Sequence, residues 1–520
     1  MSLITEGFIL FAALVVAVYF VLPKKMRWMA LLVFSLIFYC TAGIKNAVFV
    51  LFTAFSAWIC SRVMDKIHAR SRAYIKANKE TLSKEERTAH KKKKNNICKW
   101  LMALTVLINI VILCVFKYAD FVISQFDATH KTLGLIVPLG ISFYTFQTVG
   151  YVVDVYWEKT EAQKNFFKML LYVSFFPQVT QGPISDYSYL APQLFEGHAF
   201  DYNNFMRGSQ RMLWGFFKKT VIADRAAPFV ATAFSEYANM SGGNVLFGAF
   251  LYSLQIYADF SGYMDIVCGL CEILGIHLTE NFERPYFSKS VAEYWRRWHI
   301  SLGVWFKTYL YYPIAVSKFA KNVAKRGTKA VGRTFGKTIA ASLALVVVWF
   351  TTGLWHGASW AYIAWGGLNG VFIIVALWLE PIFEKTKSKL KINERGFCWR
   401  AFATLRTFFV VTMIKVFPEV GGFSGGVGYW KHCFVNWKMP KDFSAFIYPV
   451  ADGEAFFVLL AGAALMFIVS LLQRKKPVRQ RLARLWLPVR ILIFALMFIA
   501  IVYYGVPTQS EGGGFLYAQF

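Results

Sequence analysis

The amino-acid sequence predicts an all-α polytopic membrane protein, and three observations support this prediction. Hydrophobic residues make up 57% of the 520 residues, and aromatic residues 18%. The apolar runs are roughly 13 to 20 residues long and, with their flanks, approach the ~20 residues that a helix needs to cross a bilayer. Basic residues cluster in the loops between the runs. The runs also lack the alternation of membrane barrel strands, so helices are expected.

Eight apolar runs can be bounded directly from the sequence. They cover residues 8–21, 28–40, 48–60, 97–116, 339–355, 361–379, 456–472 and 491–504. Further runs between residues 133 and 276 bring the predicted total to roughly eleven to thirteen membrane helices. No basic region precedes the first run and no clean small-residue cleavage site follows it, so we predict a retained span and not a signal peptide.

The charge pattern predicts the topology. The formal net charge is +28, from 57 basic and 29 acidic residues. Residues 65–99 carry twelve Lys or Arg, and residues 317–338, 384–406 and 473–490 carry seven each. Such clusters mark the cytoplasmic side of a membrane, so we expect no nucleic-acid partner. The order of spans and clusters predicts a multi-pass protein of the cytoplasmic membrane with both termini extracytoplasmic.

We predict a single integral membrane domain over residues 1–520. Residues 65–99 form its cytoplasmic basic segment, with a helix at the inner surface. A central core spans residues 133–380, where Gly, Pro and aromatic residues interrupt the apolar runs. Broken helices at membrane depth must be buried or line a cavity, so this core should enclose a water- or substrate-filled space. Residues 381–520 form the C-terminal helices, with an irregular outside loop over 418–453.

The first candidate functional residue is His299. Trp295, Trp298, His299, Leu302 and Phe306 have the spacing of one face of a helix, which predicts an amphipathic element at the membrane interface with His299 on its buried side. The alternative is an interfacial anchor whose histidine only satisfies a carbonyl.

The second candidate is His356, which ends a long apolar run. An ionisable residue inside a membrane protein is a functional hypothesis by default, and imidazole exchanges protons near neutral pH. Gly353 and Gly357 flank it and permit a close backbone approach or a helix break, which would place the ring beside a cavity. A packing histidine bonded across helices is the alternative.

Two acids lie in the apolar stretch 257–266. Asp259 and Asp265 should face the protein interior, because a carboxylate is costly in lipid. Either acid could orient a histidine through its second ring nitrogen. Alternatively, both could pair with Arg296 or Arg297, and the sequence leaves these options open.

We interpret two further groups of residues, one of charged residues and one of cysteines, as structural. Lys218 and Lys219, with Asp224, are predicted to lie at a membrane boundary and to set topology. Cys268 and Cys271 have the spacing of half a metal site, and with no second pair they are interpreted as structural. We therefore expect no metal and no bound cofactor.

The available motifs favour acyl transfer. The sequence contains no Walker loop and no His-Glu-x-x-His motif, and the Gly-x-Ser-x-Gly pattern at 422–426 lacks the context of a nucleophile elbow. A neutral imidazole suits general-base activation of a hydroxyl for attack on an acyl thioester. Basic residues at the inner face suit a phosphate-bearing donor.

Five stretches resemble, in the same order, signatures of the membrane-bound O-acyltransferase family. They are PLGISFYTF at 138–146, YADFSGY at 257–263, NFERPY at 281–286, EYWRRWHISL at 293–302 and GLWHGA at 353–358. The branch it resembles O-acetylates exported polysaccharides such as alginate or peptidoglycan, and residues 514–520 resemble an ending common there. A close relative transfers D-alanine to teichoic acid.

The resemblance implies a ring of helices around a central tunnel, with His356 as the catalytic residue and His299 as the second functional position. The residues expected to line the tunnel are Trp355, Trp298, Asp259, Arg297 and Ser301.

The expected function is transfer of an acyl group, foremost acetyl, from a cytoplasmic thioester to an extracytoplasmic envelope polysaccharide. The donor would be acetyl-coenzyme A or an acyl-carrier thioester. The expected partners are an extracytoplasmic acetyltransferase or acceptor protein, the polysaccharide and membrane lipids. Two alternative hypotheses are a proton-coupled transporter or flippase and a non-catalytic scaffold. The sequence shows no internal repeats, which disfavours the transporter.

Overall fold

The computed structural model describes residues 3–127, 129, 131–438, 453–474 and 477–506. These residues form helices and one isolated β-bridge, between Phe282 and Trp298, and no strand occurs among them. The predicted all-α class is confirmed. The C-terminal stretch 514–520 lies outside the described residues.

The chain divides into two compact units, and the first comprises residues 1–208 and 267–279. Its helices are α1 (Glu6–Val21), α2 (Arg27–Cys40), α3 (Ala47–Ala77), α4 (Lys84–Ser124), α5 (Ile141–Tyr156), α6 (Phe166–Ser174), α7 (Phe176–Val179), α8 (Tyr187–Glu196) and the first half of α9 (Tyr202–Phe216).

The predicted basic segment 65–99 folds as a helical hairpin in this unit. It consists of the end of α3, a short turn and the start of α4. A capping box begins α4, since Glu86 N donates to Ser83 Oγ at 3.1 Å and Ser83 N donates to Glu86 Oε2 at 2.8 Å. Helix α3 also packs against α5 and α6. The hairpin therefore extends two apolar helices beyond the lengths that a bilayer requires.

The second unit comprises residues 209–266 and 280–520. Its helices are the rest of α9, α10 (Asp224–Ser235), α11 (Gly242–Ile273, which ends in the first unit), α12 (Val291–Arg297), α13 (Ile300–Phe306), α14 (Tyr312–Ala315), α15 (Lys318–His356), α16 (Trp360–Lys389), α17 (Phe397–Lys415), α18 (Gly422–Val435), α19 (Gly453–Leu472), α20 (Val478–Leu482) and α21 (Leu487–Tyr504). Two further segments, Phe217–Ala223 and Lys307–Tyr311, are π-helical.

Helices α15 and α16 form a hairpin, and α16 also packs against α17 and α18. Helix α18 lies inside the segment 418–453 that was predicted to be an irregular loop, so that prediction is wrong for residues 422–435. Packing explains the difference, because Tyr429 is fully buried and its hydroxyl donates to the Val245 carbonyl at 2.6 Å. Residues 439–452 of the segment lie outside the described residues.

Seven of the described helices are long and apolar enough to cross a membrane. They are Ile44–Ala77, Lys84–Ser124, Thr338–His356, Trp360–Lys389, Phe397–Lys415, Gly453–Leu472 and Leu487–Tyr504. The sequence suggested roughly eleven to thirteen. The difference arises because α1 and α2 have only 16 and 14 residues and because much of the chain between 133 and 276 folds into short helices. The protein is a multi-pass membrane protein.

Candidate active site

The segment around His299 is broken where the sequence predicted one continuous helix. Helix α12 ends at Arg297 and α13 begins at Ile300. His299 lies between them with φ = +49°, in the left-handed region that few residues other than glycine adopt. Such a conformation needs support from the surrounding structure.

Asn281 supplies this support. Its carbonyl accepts a hydrogen bond from Ile300 N at 3.1 Å, and its side-chain Oδ1 accepts one from Ser301 N at 2.9 Å. Glu283 N also donates to the carbonyl of Arg297 at 3.0 Å. The segment beginning at Asn281 therefore binds the backbone on both sides of His299. Asn281 had no predicted role, and its only sequence signal was its place at the start of one of the five motifs.

The His299 ring is buried, as predicted, with 2% of the residue exposed. It meets Phe260 edge to face at a centroid distance of 5.0 Å, and the Trp355 ring lies 6.1 Å away. Burial lowers the pKa of His299 to about 3. The imidazole is therefore neutral near pH 7.

His356 is the last residue of α15, and 6% of it is exposed. Three aromatic rings surround it. The Trp365 ring meets it edge to face at 4.8 Å, the Trp355 ring lies 4.9 Å away, and the Tyr362 ring is parallel at 6.4 Å. The second candidate histidine is thus also an interior residue.

Glycines bring α15 and α16 together beside His356. A Cβ atom at Gly353 would lie 2.5 Å from the Tyr362 carbonyl oxygen, and one at Gly366 would lie 2.5 Å from the Trp349 carbonyl oxygen. Neither position has room for a side chain. Of the two options that the sequence left open, Gly353 has the close backbone approach, and this places the rings of α16 against His356.

The two histidines belong to one row of rings. Trp355 contacts both His299 and His356, and His356 in turn contacts Trp365. Trp365 lies 5.5 Å from Trp295, on α12. The row therefore links the strained turn after α12 to the end of the spanning helix α15.

A network of buried charges lies in the same unit. Lys219 Nζ is 2.6 Å from Asp259 Oδ1 and 2.7 Å from Asp224 Oδ1. Lys218 Nζ is 2.7 Å from Asp265 Oδ2 and donates to Ser261 Oγ at 2.8 Å. Two adjacent lysines thus meet two carboxylates of α11, and Lys219 also meets Asp224 at the start of α10.

Lys218 and Lys219 are buried, with only 4% and 2% of these residues exposed, and their position at a membrane boundary stays a prediction. Asp265 also pairs with Arg211, at 2.9 Å from its Nε. Pairing explains the burial, because a charge inside a protein requires a partner. The neighbouring Asp224 was the available sequence signal.

Trp298 lies in an aromatic box around Lys415, the last residue of α17. The ammonium nitrogen is 4.5 Å from the Trp298 ring centroid, 4.6 Å from that of Tyr286 and 5.2 Å from that of Tyr294. It also donates to the Tyr286 hydroxyl at 2.7 Å. The Lys415 side chain therefore packs against the residue before His299, a contact that the sequence did not predict.

Of the remaining predicted tunnel residues, Arg297 pairs with Glu293 at 2.7 Å and Ser301 is buried beside Asn281. Asp259 lies in the charge network. The structure thus brings together Trp355, His299 and His356, and it gives each of the others a polar or aromatic partner. The tunnel itself stays a prediction.

Residues 161–411 match the model of the membrane-bound O-acyltransferase family. The chain belongs to this family. The match includes both histidines, the row of rings and the buried charge network, whereas Lys415 lies just beyond it.

Several proteins with sequences similar to this chain have names that describe the transfer of acetyl or D-alanyl groups. The chain is 32% identical over 375 residues to the "Probable alginate O-acetylase AlgI" of Azotobacter vinelandii, covering 70% of this chain and 66% of that protein. It is 33% identical over 306 residues to the "Peptidoglycan O-acetyltransferase" of Helicobacter pylori, covering 53% and 55%. It is 25% identical over 269 residues to the "Teichoic acid D-alanyltransferase" of Streptococcus thermophilus, covering 50% and 61%. The matched part therefore spans between about half and two thirds of these relatives.

Proposed function

We propose that this member of the family is an O-acyltransferase that transfers an acyl group, foremost acetyl, to a cell-envelope polysaccharide. The names of the alginate and peptidoglycan relatives support this acceptor class. The observation that carries the proposal is the pair of buried histidines joined through Trp355 inside the matched segment.

In the proposed reaction, His356 acts as a general base. The acceptor hydroxyl gives its proton to the imidazole while its oxygen forms a bond to the thioester carbonyl carbon. The carbon–sulfur bond then breaks, and the leaving thiolate takes up the proton from the imidazolium. His299, neutral because it is buried, supports the arrangement through Trp355.

The proposed donor is cytoplasmic acetyl-coenzyme A or an acyl-carrier thioester. The protein would lie in the cytoplasmic membrane with both termini outside, so the acyl group crosses from the inner to the outer side. There an extracytoplasmic acetyltransferase, or the polysaccharide itself, would receive it. The basic clusters support this orientation, because Lys and Arg accumulate in cytoplasmic loops.

The alternative acyl group is D-alanine, carried to teichoic acid from a carrier protein. The relative with this name is 25% identical, compared with 32% and 33% for the two O-acetylation relatives, so acetyl is preferred. Labelled acetyl-coenzyme A and a D-alanyl-carrier thioester, supplied separately to membranes that contain the protein, distinguish the two.

The decisive experiment replaces His356 with Gln, which keeps a polar side chain of similar size but cannot serve as a base near pH 7. Acetyl content of the envelope polysaccharide should fall by about 10²-fold or more, with protein level unchanged. His277→Gln is the matched control, because that histidine is exposed and should tolerate the change. Acetylation at the wild-type level in His356→Gln would contradict the proposal.

A further inference from the structure

The first unit contains a cationic cavity that the proposed reaction does not use. It lies between the end of α3 and the start of α4, and its volume is about 440 Å³. That volume falls within the range of small-molecule sites. Six cations line it: Arg72, Lys76, Lys79, Arg87, Lys91 and Lys94.

The carboxylate in the lining is already neutralised. Glu158 lies 2.5 Å from the Arg72 guanidinium and 3.4 Å from His68 Nδ1. Arg87 donates to the backbone carbonyls of Leu82 and Lys79, which fixes its position. Within the described part of the chain, this leaves a surplus of positive charge around the cavity.

The four lysines of the lining are the source of this surplus. Among the described residues, no carboxylate lies within ion-pair distance of Lys76, Lys79, Lys91 or Lys94. Like charges that converge on one space repel each other, so the arrangement gains most when an anion of more than one charge enters. Lys and Arg form strong charge-assisted hydrogen bonds with phosphate groups.

The orientation of the protein in the membrane does not by itself require these lysines to line one cavity. The positive-inside rule depends on the number of basic residues near the membrane, not on where they point. In the run of lysines at 91–94, the two outer residues line the cavity, whereas Lys92 and Lys93 do not. The outer pair is spaced by three residues, which places both on one face of α4.

We infer that this cavity binds a ligand carrying two or more phosphate charges. Two sources share this chemistry: the phosphates of a coenzyme A thioester, and the headgroup of a phospholipid that carries two phosphates. The inference does not depend on acyl transfer, because its readout is binding.

The test uses the full chain purified in detergent and titrated with inorganic pyrophosphate, with coenzyme A and with a short-chain cardiolipin, whose headgroup carries two phosphates. The Lys91→Gln/Lys94→Gln variant should weaken pyrophosphate binding by about ten- to a hundredfold, since two charge-assisted contacts are lost. The Lys92→Gln/Lys93→Gln variant removes the same charge from the same helix turn and should bind as the wild type does.

The other two ligands identify the source. Tighter binding of coenzyme A than of the lipid assigns the cavity to the thioester donor, and the reverse order assigns it to a lipid headgroup. Either result supports the phosphate site if it depends on the outer lysine pair. Equal weakening in both variants, or no pyrophosphate binding by the wild type, would overturn the inference.

Discussion

The indole ring of Trp355 lies 6.1 Å, centroid to centroid, from the imidazole ring of His299. The two residues come from different elements, the end of α15 and the turn between α12 and α13. Because Trp355 also contacts His356, a movement of either element is transmitted to both histidines. We therefore predict that Trp355 acts as a positioning residue for both histidines.

Replacement of Trp355 by Ala should lower acyl transfer at least tenfold, because misplacement of about 1 Å at a reacting group is costly. Removing the indole ring would also leave a cavity, which should lower the free energy of unfolding by about 3–5 kcal/mol. Trp355→Phe keeps a ring and should restore most of the activity. The measurement compares the acetylation rate with the thermal unfolding of each variant. Trp360, which is 62% exposed, is the control position for Trp→Ala. If Trp355→Phe is as inactive as Trp355→Ala, contact of aromatic rings is not the cause.

The pKa of His299 predicts an acid sensitivity of folding. Burial lowers this pKa to about 3, whereas the unfolded chain takes up a proton near the ordinary value of 6.5. Below pH 6.5 the unfolded state therefore binds more protons than the folded state. As the pH is lowered, the free energy of unfolding decreases. The slope approaches ~1.4 kcal/mol per pH unit, and this part of the stability is fully present above pH 6.5.

Thermal unfolding at pH 7 and pH 5 measures this effect. The wild type should lose more stability between the two values than His299→Gln, whatever the starting stability of the variant. Equal losses in the two proteins would show that His299 takes up a proton equally well when folded.

The buried pair of Lys219 and Asp259 predicts a large cost for single substitutions. Lys219→Met leaves Asp259, which is fully buried, without this ammonium, and should cost about 3–5 kcal/mol. Adding Asp259→Leu removes the unpaired charge and should recover part of the loss. Thermal unfolding in detergent measures both variants.

The control for this pair is Arg62→Ala. Arg62 and Asp65 are partly exposed, so their ion pair should contribute less than about 1 kcal/mol. A double variant no more stable than Lys219→Met would mean that the carboxylate is not what destabilises the single variant.

Local sequence patterns account for the features that the sequence predicted well. The length of an apolar run sets whether a helix spans the bilayer, so α15 and α16 were visible as runs at 339–355 and 361–379. The burial of His356 followed from its place at the end of such a run. The glycines beside His356 predicted either a close backbone approach or a helix break, and the close approach occurs at Gly353.

Features that depend on distant residues were missed. The break at His299 depends on Asn281, whose Oδ1 binds the backbone 20 residues further along the chain. The burial of Lys219 depends on Asp259, 40 residues away. Neither pairing leaves a periodic pattern, so the local sequence indicated a continuous helix in one case and gave no sign of the buried ion pair in the other.

The glycines of α16 give the sharpest test of the packing around His356. Gly366 and Gly367 are neighbours in the same helix, but a Cβ at Gly366 would lie 2.5 Å from the Trp349 carbonyl oxygen, while one at Gly367 meets no atom within 4 Å. Gly366→Ala must therefore separate α15 from α16, and we expect it to cost about 1–3 kcal/mol and to reduce acylation. Gly367→Ala should be neutral or stabilise the helix by up to about 1 kcal/mol, because alanine loses less backbone entropy than glycine. Thermal unfolding and acetylation of the two variants, measured side by side, check the prediction. Equal effects of the two substitutions would mean that the helices do not approach closely at Gly366, and that another contact holds His356 against Trp365.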